Sequence, residues 1–166
     1  MAGAMIIVVA GYWLGHSRRS GLMLAETVLD QFIQLFKELR GTVEFSAGGM
    51  AEHIALCAAK ESYRKLEFLK AALTAPPGRN LGENLVEAFE NWETAARLSQ
   101  DERSVVYGLL AELGSDSARY ELAKLDFALE RLDAALEQRR EENKKHKGYY
   151  EIIFTLAGIA VAILLI

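Results

Sequence analysis

Apolar residues recur along the middle of the chain at helical rather than strand spacing. In residues 20–39, SGLMLAETVLDQFIQLFKEL, the positions Leu22, Ala25, Leu29, Phe32, Phe36 and Leu39 share one face, and Gln34, Lys37 and Glu38 lie off it. This pattern predicts an amphipathic helix. In GTVEFSAGG (41–49), Thr42, Val43 and Phe45 suit a strand, but no second strand is available to pair with it. The segment is therefore read as the helix running down into a turn at Ala47, Gly48 and Gly49. Short helices are expected over about 50–60 and 62–73, the second stopped by Ala75-Pro76-Pro77-Gly78, which holds both prolines of the chain. A fourth, ENLVEAFENWETAARL, places Leu85, Phe89, Trp92 and Ala96 on one face. Ser99-Gln100-Asp101-Glu102 has capping-box spacing and opens a fifth helix to about Leu113. Gly114 suits the stop, and Asp116 or Ser117 the next N-cap. From there Leu122, Leu125, Leu129, Leu132 and Leu136, spaced 3, 4, 3, 4, form the seam of a long last helix that fades at Arg139 and Asn143. Such a seam either dimerises as a coiled coil or packs within its own chain against residues 20–39.

The ends follow a different rule. Residues 1–15 and 152–166 carry no Asp, Glu, Lys or Arg, so all charge lies between Arg18 and Glu151. At the N-terminus the basic pair Arg18-Arg19 follows the apolar stretch, the reverse of a secretory signal, with Tyr12 and Trp13 just ahead of it. At the C-terminus Arg139, Arg140, Lys144, Lys145 and Lys147 precede the apolar run, followed by Tyr149 and Tyr150. The apolar run has fifteen residues from Ile152, or eighteen if Tyr149 and Tyr150 are counted and Glu151 tolerated, about 27 Å of helix and near the hydrocarbon thickness of a bilayer. Basic flanks prefer the cytoplasm. Both ends thus read as anchors that leave residues 18–147 cytoplasmic and the two termini outside. Gly11 and Gly15, and Gly158 and Ala162, have the small-residue spacing of transmembrane helices that approach closely.

Charge and chemistry narrow the function. Residues 20–138 hold 20 acidic and 12 basic side chains, a net charge of −8, which excludes a nucleic-acid binder that needs a basic stripe. The single cysteine, Cys57, makes no internal disulfide. No phosphate-cradling GxxxxGK[ST] or GxGxxG, no HExxH and no CxxC occurs. His16 and His146 sit at the two membrane boundaries. His53 and Cys57, at i, i+4 with Glu52 nearby, have a spacing that can present two ligands to zinc, but no third or fourth ligand is evident; Cys57 reads better as a small core residue and His53 as an edge residue. Glu26/Asp30 and Glu83/Glu87/Glu90 read as acidic surface rather than an acid–base pair. No catalytic residue, metal or cofactor is expected, and the chain is read as a non-enzyme.

The order of these features resembles stage III sporulation protein AB, a family of two-anchor membrane proteins of endospore-forming bacteria. The likeness runs over almost the whole chain: an apolar start, Arg18-Arg19, an amphipathic helix, then TVEFSAGGMAEHIALCA. It is strongest in LSQDERSVVYGLLAELGSDSARYELAKLDFALERLDAAL, with its helix, LG turn and long helix, and in the terminal LAGIAVAILLI. The turn departs from the family pattern in its order Ser115-Asp116-Ser117, and Glu121 stands where the family carries Gln. The resemblance implies a part in an assembly linking mother cell and forespore, in the mother-cell membrane facing the forespore. It also implies a cytoplasmic domain like that of type II secretion platform proteins. The implied partners are a cytosolic secretion-type ATPase, stage III sporulation protein AA, and the membrane components of the same assembly.

The expected architecture is all-α. An antiparallel helical bundle (18–147) lies between a transmembrane anchor at 1–17 and another at 149–166, the last helix being long and running into the membrane. The expected function is a platform that docks the ATPase to the membrane channel, with homo-oligomerisation left open. The alternative is a two-span protein with a signalling or coiled-coil role. Leu113, Gly114, Asp116 and Glu121 are the candidate docking turn, and helix capping and turn geometry are the competing reading of the same four. Trp13, Arg18, Arg19, Lys145, Lys147, Tyr149 and Tyr150 are the expected membrane-interface residues.

Overall fold

The computed structural model describes residues 23–43, 49–75, 79–114 and 118–164, with side chains in the last segment from Arg119 to Lys144. Among the described residues the regular elements are all helices. They are α1 (23–43), α2 (Met50–Ala58), a 3₁₀ turn (Glu61–Tyr63), α3 (Phe68–Leu73), α4 (Leu81–Glu90), a second 3₁₀ turn (Glu93–Arg97), α5 (Gln100–Glu112) and α6 (Ala118–Leu164). The 47 residues of α6 make a rod of about 70 Å.

α1 is the central helix. Beyond the stripe read from its sequence it also buries Val28, Ile33 and Leu35, because it is enclosed on more than one side. Four aromatic side chains meet on it. Every pair among Phe32, Phe68, Phe89 and Trp92 lies with ring centroids 5.3–6.2 Å apart, and Phe36 joins Phe32 at 5.7 Å. These are tilted and edge-on contacts of the kind that add to simple area burial. The leucine seam of α6 closes the same core: Leu125, Leu129, Leu132 and Leu136 are buried within the chain's own cluster, and Leu122 is half-buried. The seam packs internally and is therefore not a free coiled-coil surface.

Two expected helices are shorter than their sequences suggest. The 62–73 stretch is helical only from Phe68. Tyr63, Leu66, Phe68, Leu69 and Ala72 are all buried, and at 100° per residue one continuous helix would spread them around its circumference. The chain instead turns at 61–67, and the Lys65 N–H donates to Gln31 Oε1 on α1 at 3.2 Å. The fourth helix starts earlier than expected, at Leu81, with Asn80 accepting from the Glu83 N–H at 2.8 Å. It stops at Glu90, and the chain continues as 3₁₀. The three-residue period of that turn buries Ala95 and Leu98 below Trp92 and leaves Ala96 exposed, contrary to the face read from the sequence.

Helix ends follow their sequence signals more closely. Ser99 and Glu102 form the reciprocal capping box that opens α5. Gly114 stands just past its end at φ +80°, a left-handed conformation that suits a residue without Cβ. Gly82 has a different reason to be glycine: a Cβ there would lie 2.4 Å from the Ala111 carbonyl oxygen, so α4 meets the backbone of α5 directly. G82A is expected to lower stability by about 1–3 kcal/mol, because backbone rather than a flexible side chain must yield. A urea titration coinciding with that of the natural sequence would show that α4 and α5 do not approach this closely.

Of the two expected spans, residues 1–17 lie outside the described residues, and 149–164 lie on the backbone of α6. Among the described residues no helix is long and apolar enough to cross a membrane.

Candidate functional site

The end of the bundle from which α6 extends is built from adjacent residues that reach opposite ways. Arg139 reaches α5. Its Nε and Nη2 hold Glu102 Oε1 and Oε2, both at 2.5 Å, a paired geometry that only a guanidinium provides. Glu102 is 5% exposed, and it also accepts the Ser99 N–H at 2.7 Å. Burial by itself pushes the Glu102 carboxyl up, but the hydrogen bonds from Arg139 and Ser99 outweigh it and leave the group below the usual carboxylate range. The same contact raises the Arg139 guanidinium. Arg140 reaches α1, with Nε 3.4 Å from Glu26 and Nη2 3.3 Å from Asp30. Asn143 completes the collar by donating to Glu26 Oε2 at 2.9 Å.

Further along, Lys37 pairs with Asp133 at 3.3 Å and Arg40 with Asp126 at 2.6 Å. Such exposed pairs contribute little each, but they fix the register. Residue 26 lies opposite 143, 30 opposite 140, 37 opposite 133 and 40 opposite 126, so α1 and α6 run antiparallel side by side. The start of α1 and the stretch of α6 beyond Lys144 therefore leave the bundle at one end. Glu26 and Asp30, read from the sequence as acidic surface, are half of this collar, and Arg139, read as a basic flank, is turned into the bundle.

The candidate docking turn is a structural corner at three of its four residues. Leu113 is buried, Gly114 takes the left-handed conformation, and Glu121, itself buried, accepts the Gly114 N–H at 2.8 Å. Asp116 lies outside the described residues. Trp13, Arg18 and Arg19 also lie outside them, while Lys145, Lys147, Tyr149 and Tyr150 fall on the backbone of α6 beyond the last described side chain.

The model of the stage III sporulation protein AB family matches residues 1–166, the full length of the chain. The chain belongs to that family. Membership gives it a role in stage III of sporulation. No curated protein and no solved structure matches it.

For this member of the stage III sporulation protein AB family, the zinc spacing read from the sequence resolves into packing. Cys57 is buried, and its Sγ donates to Glu38 Oε1 at 3.4 Å. Glu38 also receives Lys60 and, at 2.8 Å, the Tyr63 hydroxyl, so one carboxylate on α1 gathers α2 and the turn after it. The hydrogen bond from Lys60 is the largest influence holding the Glu38 carboxyl below its ordinary value. Burial, then the neighbouring Glu38 charge, pushes the Cys57 thiol up to about 11, which keeps it a thiol at neutral pH. Among the described residues no group of three or more His, Cys, Asp or Glu side chains is placed to hold a metal ion.

Sequence reading missed Glu38, Glu102–Arg139 and Glu26/Asp30–Arg140 as partners, because each joins elements far apart in the chain. The one local signal is the capping box, which turns the Glu102 carboxylate back onto the Ser99 N–H and says nothing of Arg139.

Proposed function

We propose that this protein is a non-enzymatic membrane platform of a sporulation transenvelope complex. In this reading its apolar ends, 1–17 and 149–166, are two anchors in one membrane, and its acidic bundle docks a cytosolic secretion-type ATPase to the channel between mother cell and forespore. One observation carries the reading. The antiparallel register of α1 and α6, with Glu26 beside Asn143, brings the entry of the first helix and the exit of the last to the same end of the bundle. Two apolar termini attached at one end suit a domain standing on a membrane, whereas apolar segments leaving opposite ends would not. The charge-free composition of 1–15 and 152–166, with basic residues on the bundle side of each, supports the same orientation. Arg139 and Arg140 would then couple the membrane helix to α5 and α1.

The test is fractionation of sporulating cells followed by purification of the full chain in detergent. The protein is expected to sediment with membranes, resist alkaline carbonate and bring the ATPase through purification. Recovery in the soluble fraction would reject the anchors, and purification without any secretion-type ATPase would reject the docking role.

A further inference from the structure

The charge pairing between α1 and α6 runs out at the end of the bundle from which α6 extends. Along the line where the two helices lie side by side, Asp126, Asp133 and Arg140 each meet an opposite charge, in Arg40, in Lys37 and in Glu26 with Asp30. Positions 144 and 147 continue that line at four and seven residues after 140, and both are lysine. Continuing the register of 30 opposite 140 and 26 opposite 143 by one turn sets Met23 of α1 beside 146–147. No acid is there to meet the lysines. Residues 16–25 hold Arg18 and Arg19, residues 143–150 hold Lys144, Lys145 and Lys147, and neither stretch has an Asp or Glu. Lys144 is exposed. At about 3.6 Å per residue, Arg19 lies within about 14 Å of Met23 and Arg18 within about 18 Å, whatever path the chain takes. Two stretches far apart in the sequence therefore pool five cations around one short length of α6.

We propose that these five cations form a collar that binds the headgroups of anionic phospholipids. Charge complementarity selects the class of ligand, and position selects its source. About 8 Å of helix separates Lys147 from Ile152, where the charge-free run begins. With 149–166 as an anchor, the lysines stand at headgroup depth, within about one screening length of the bilayer surface. Clusters of this size on the bundle side of a membrane helix attract acidic lipid. The bundle itself does the opposite: residues 20–138 carry a net charge of −8 and are repelled by such a surface. Glu141, Glu142 and Glu151 stand near the lysines, and with them counted this end still holds five cations to three acids. Glu142 is engaged by Gln138 at 3.0 Å. Arg139 and Arg140 take no part, because Glu102, Glu26 and Asp30 occupy them. The inference rests on the platform reading for its anchors, and it names the lipid that surrounds them.

The experiment uses the full chain reconstituted in phosphatidylcholine bilayers, with brominated-chain phosphatidylglycerol or brominated-chain phosphatidylcholine as quencher at equal mole fraction. Trp13, in the N-terminal apolar end, is the reporter, and Trp92, in the aromatic core, gives a constant background. Phosphatidylglycerol is expected to associate at least about fivefold more strongly than phosphatidylcholine, the factor that one surface cation contributes. R18Q/R19Q and K144Q/K145Q/K147Q should each lower that ratio, and all five changes together should bring it to one. K144R/K145R/K147R should keep it, and R119Q, at an exposed position near the far end of α6, should leave it unchanged. None of these variants should move the thermal midpoint. Salt at about 1 M should remove the preference, and inorganic phosphate at constant ionic strength should not. Equal quenching by the two lipids, or a preference that survives all five changes, would overturn the collar while the anchors stand. Loss of the preference to inorganic phosphate would make this a site for a free anion and overturn the lipid assignment. No quenching by either lipid would reject the anchors and the collar together. A lipid preference in a chain that recovers no ATPase would leave the collar standing and remove the docking role.

Discussion

Replacing Glu102 by alanine is expected to destabilise the folded chain by about 3–5 kcal/mol, out of proportion to a single carboxylate. The reason is what remains. Arg139, whose side chain is 19% exposed, would keep its charge without the two 2.5 Å partners it now has. The Ser99 N–H would lose its acceptor, and α5 would lose half its capping box. E102Q keeps a capping oxygen but not the charge, and should fall between. The check is urea unfolding of the full chain in detergent, followed by circular dichroism. The decisive comparison is the double variant E102A/R139A. Removing the stranded cation should return part of the loss, so the two changes together should cost less than their separate sum. Strict additivity, or a loss under about 1 kcal/mol for E102A alone, would mean that Glu102 and Arg139 do not act as a pair.

The same contact has a definite pH signature. The folded-state carboxyl of Glu102 lies below its ordinary value despite the opposing effect of burial. The stabilisation is therefore complete above the unfolded value of about 4.3 and is lost as pH falls through the folded value. Arg139 is shifted upward from an already high value and titrates outside any working range. The stability gap between the natural chain and E102A should hold constant from neutral pH to about pH 5 and narrow only in stronger acid. A gap that closes near neutrality would point to a different group.

How much of this was legible in the sequence depends on the range of the interaction. The capping box at Ser99 and Glu102, the stop at Gly114 and the leucines of α6 depend on neighbours within about seven residues, and the structure has them where the pattern puts them. The misplaced elements are those where tertiary packing overrides the local period. Tyr63, Leu66 and Phe68 all reach the core only because the chain abandons the helix between them, and Trp92, Ala95 and Leu98 do so by tightening to 3₁₀. The collar had no local signature. Arg139 and Arg140 are consecutive in a basic stretch, and nothing in that stretch says that one points to α5 and the other to α1. Leu113, Gly114 and Glu121 form a corner between α5 and α6, and the Glu121 carboxylate is committed to it.

Phe32 is where the largest apolar loss should fall. F32A is expected to cost about 3–5 kcal/mol, because the ring is fully buried and touches Phe36, Phe68, Phe89 and Trp92 at once. F32L, which keeps most of the volume, should lose markedly less. The exposed Phe127 supplies the contrast: F127A should change stability by no more than about 0.5 kcal/mol. The aromatic contacts place Phe32 between α1 and the α3–α4 half of the bundle, whereas Glu102 ties α5 to α6. The rings around Phe32 and the ion pair of Glu102 belong to different residues, so F32A and E102A test different joints of one object. If the bundle unfolds as one cooperative unit, each variant should shift a single transition, and the double variant should shift it by the sum. If F32A instead splits the unfolding curve, with α5 and α6 melting later than α1, α3 and α4, the bundle is two coupled parts. Arg140, which reaches from α6 to Glu26 and Asp30 of α1, would then help to hold those parts together.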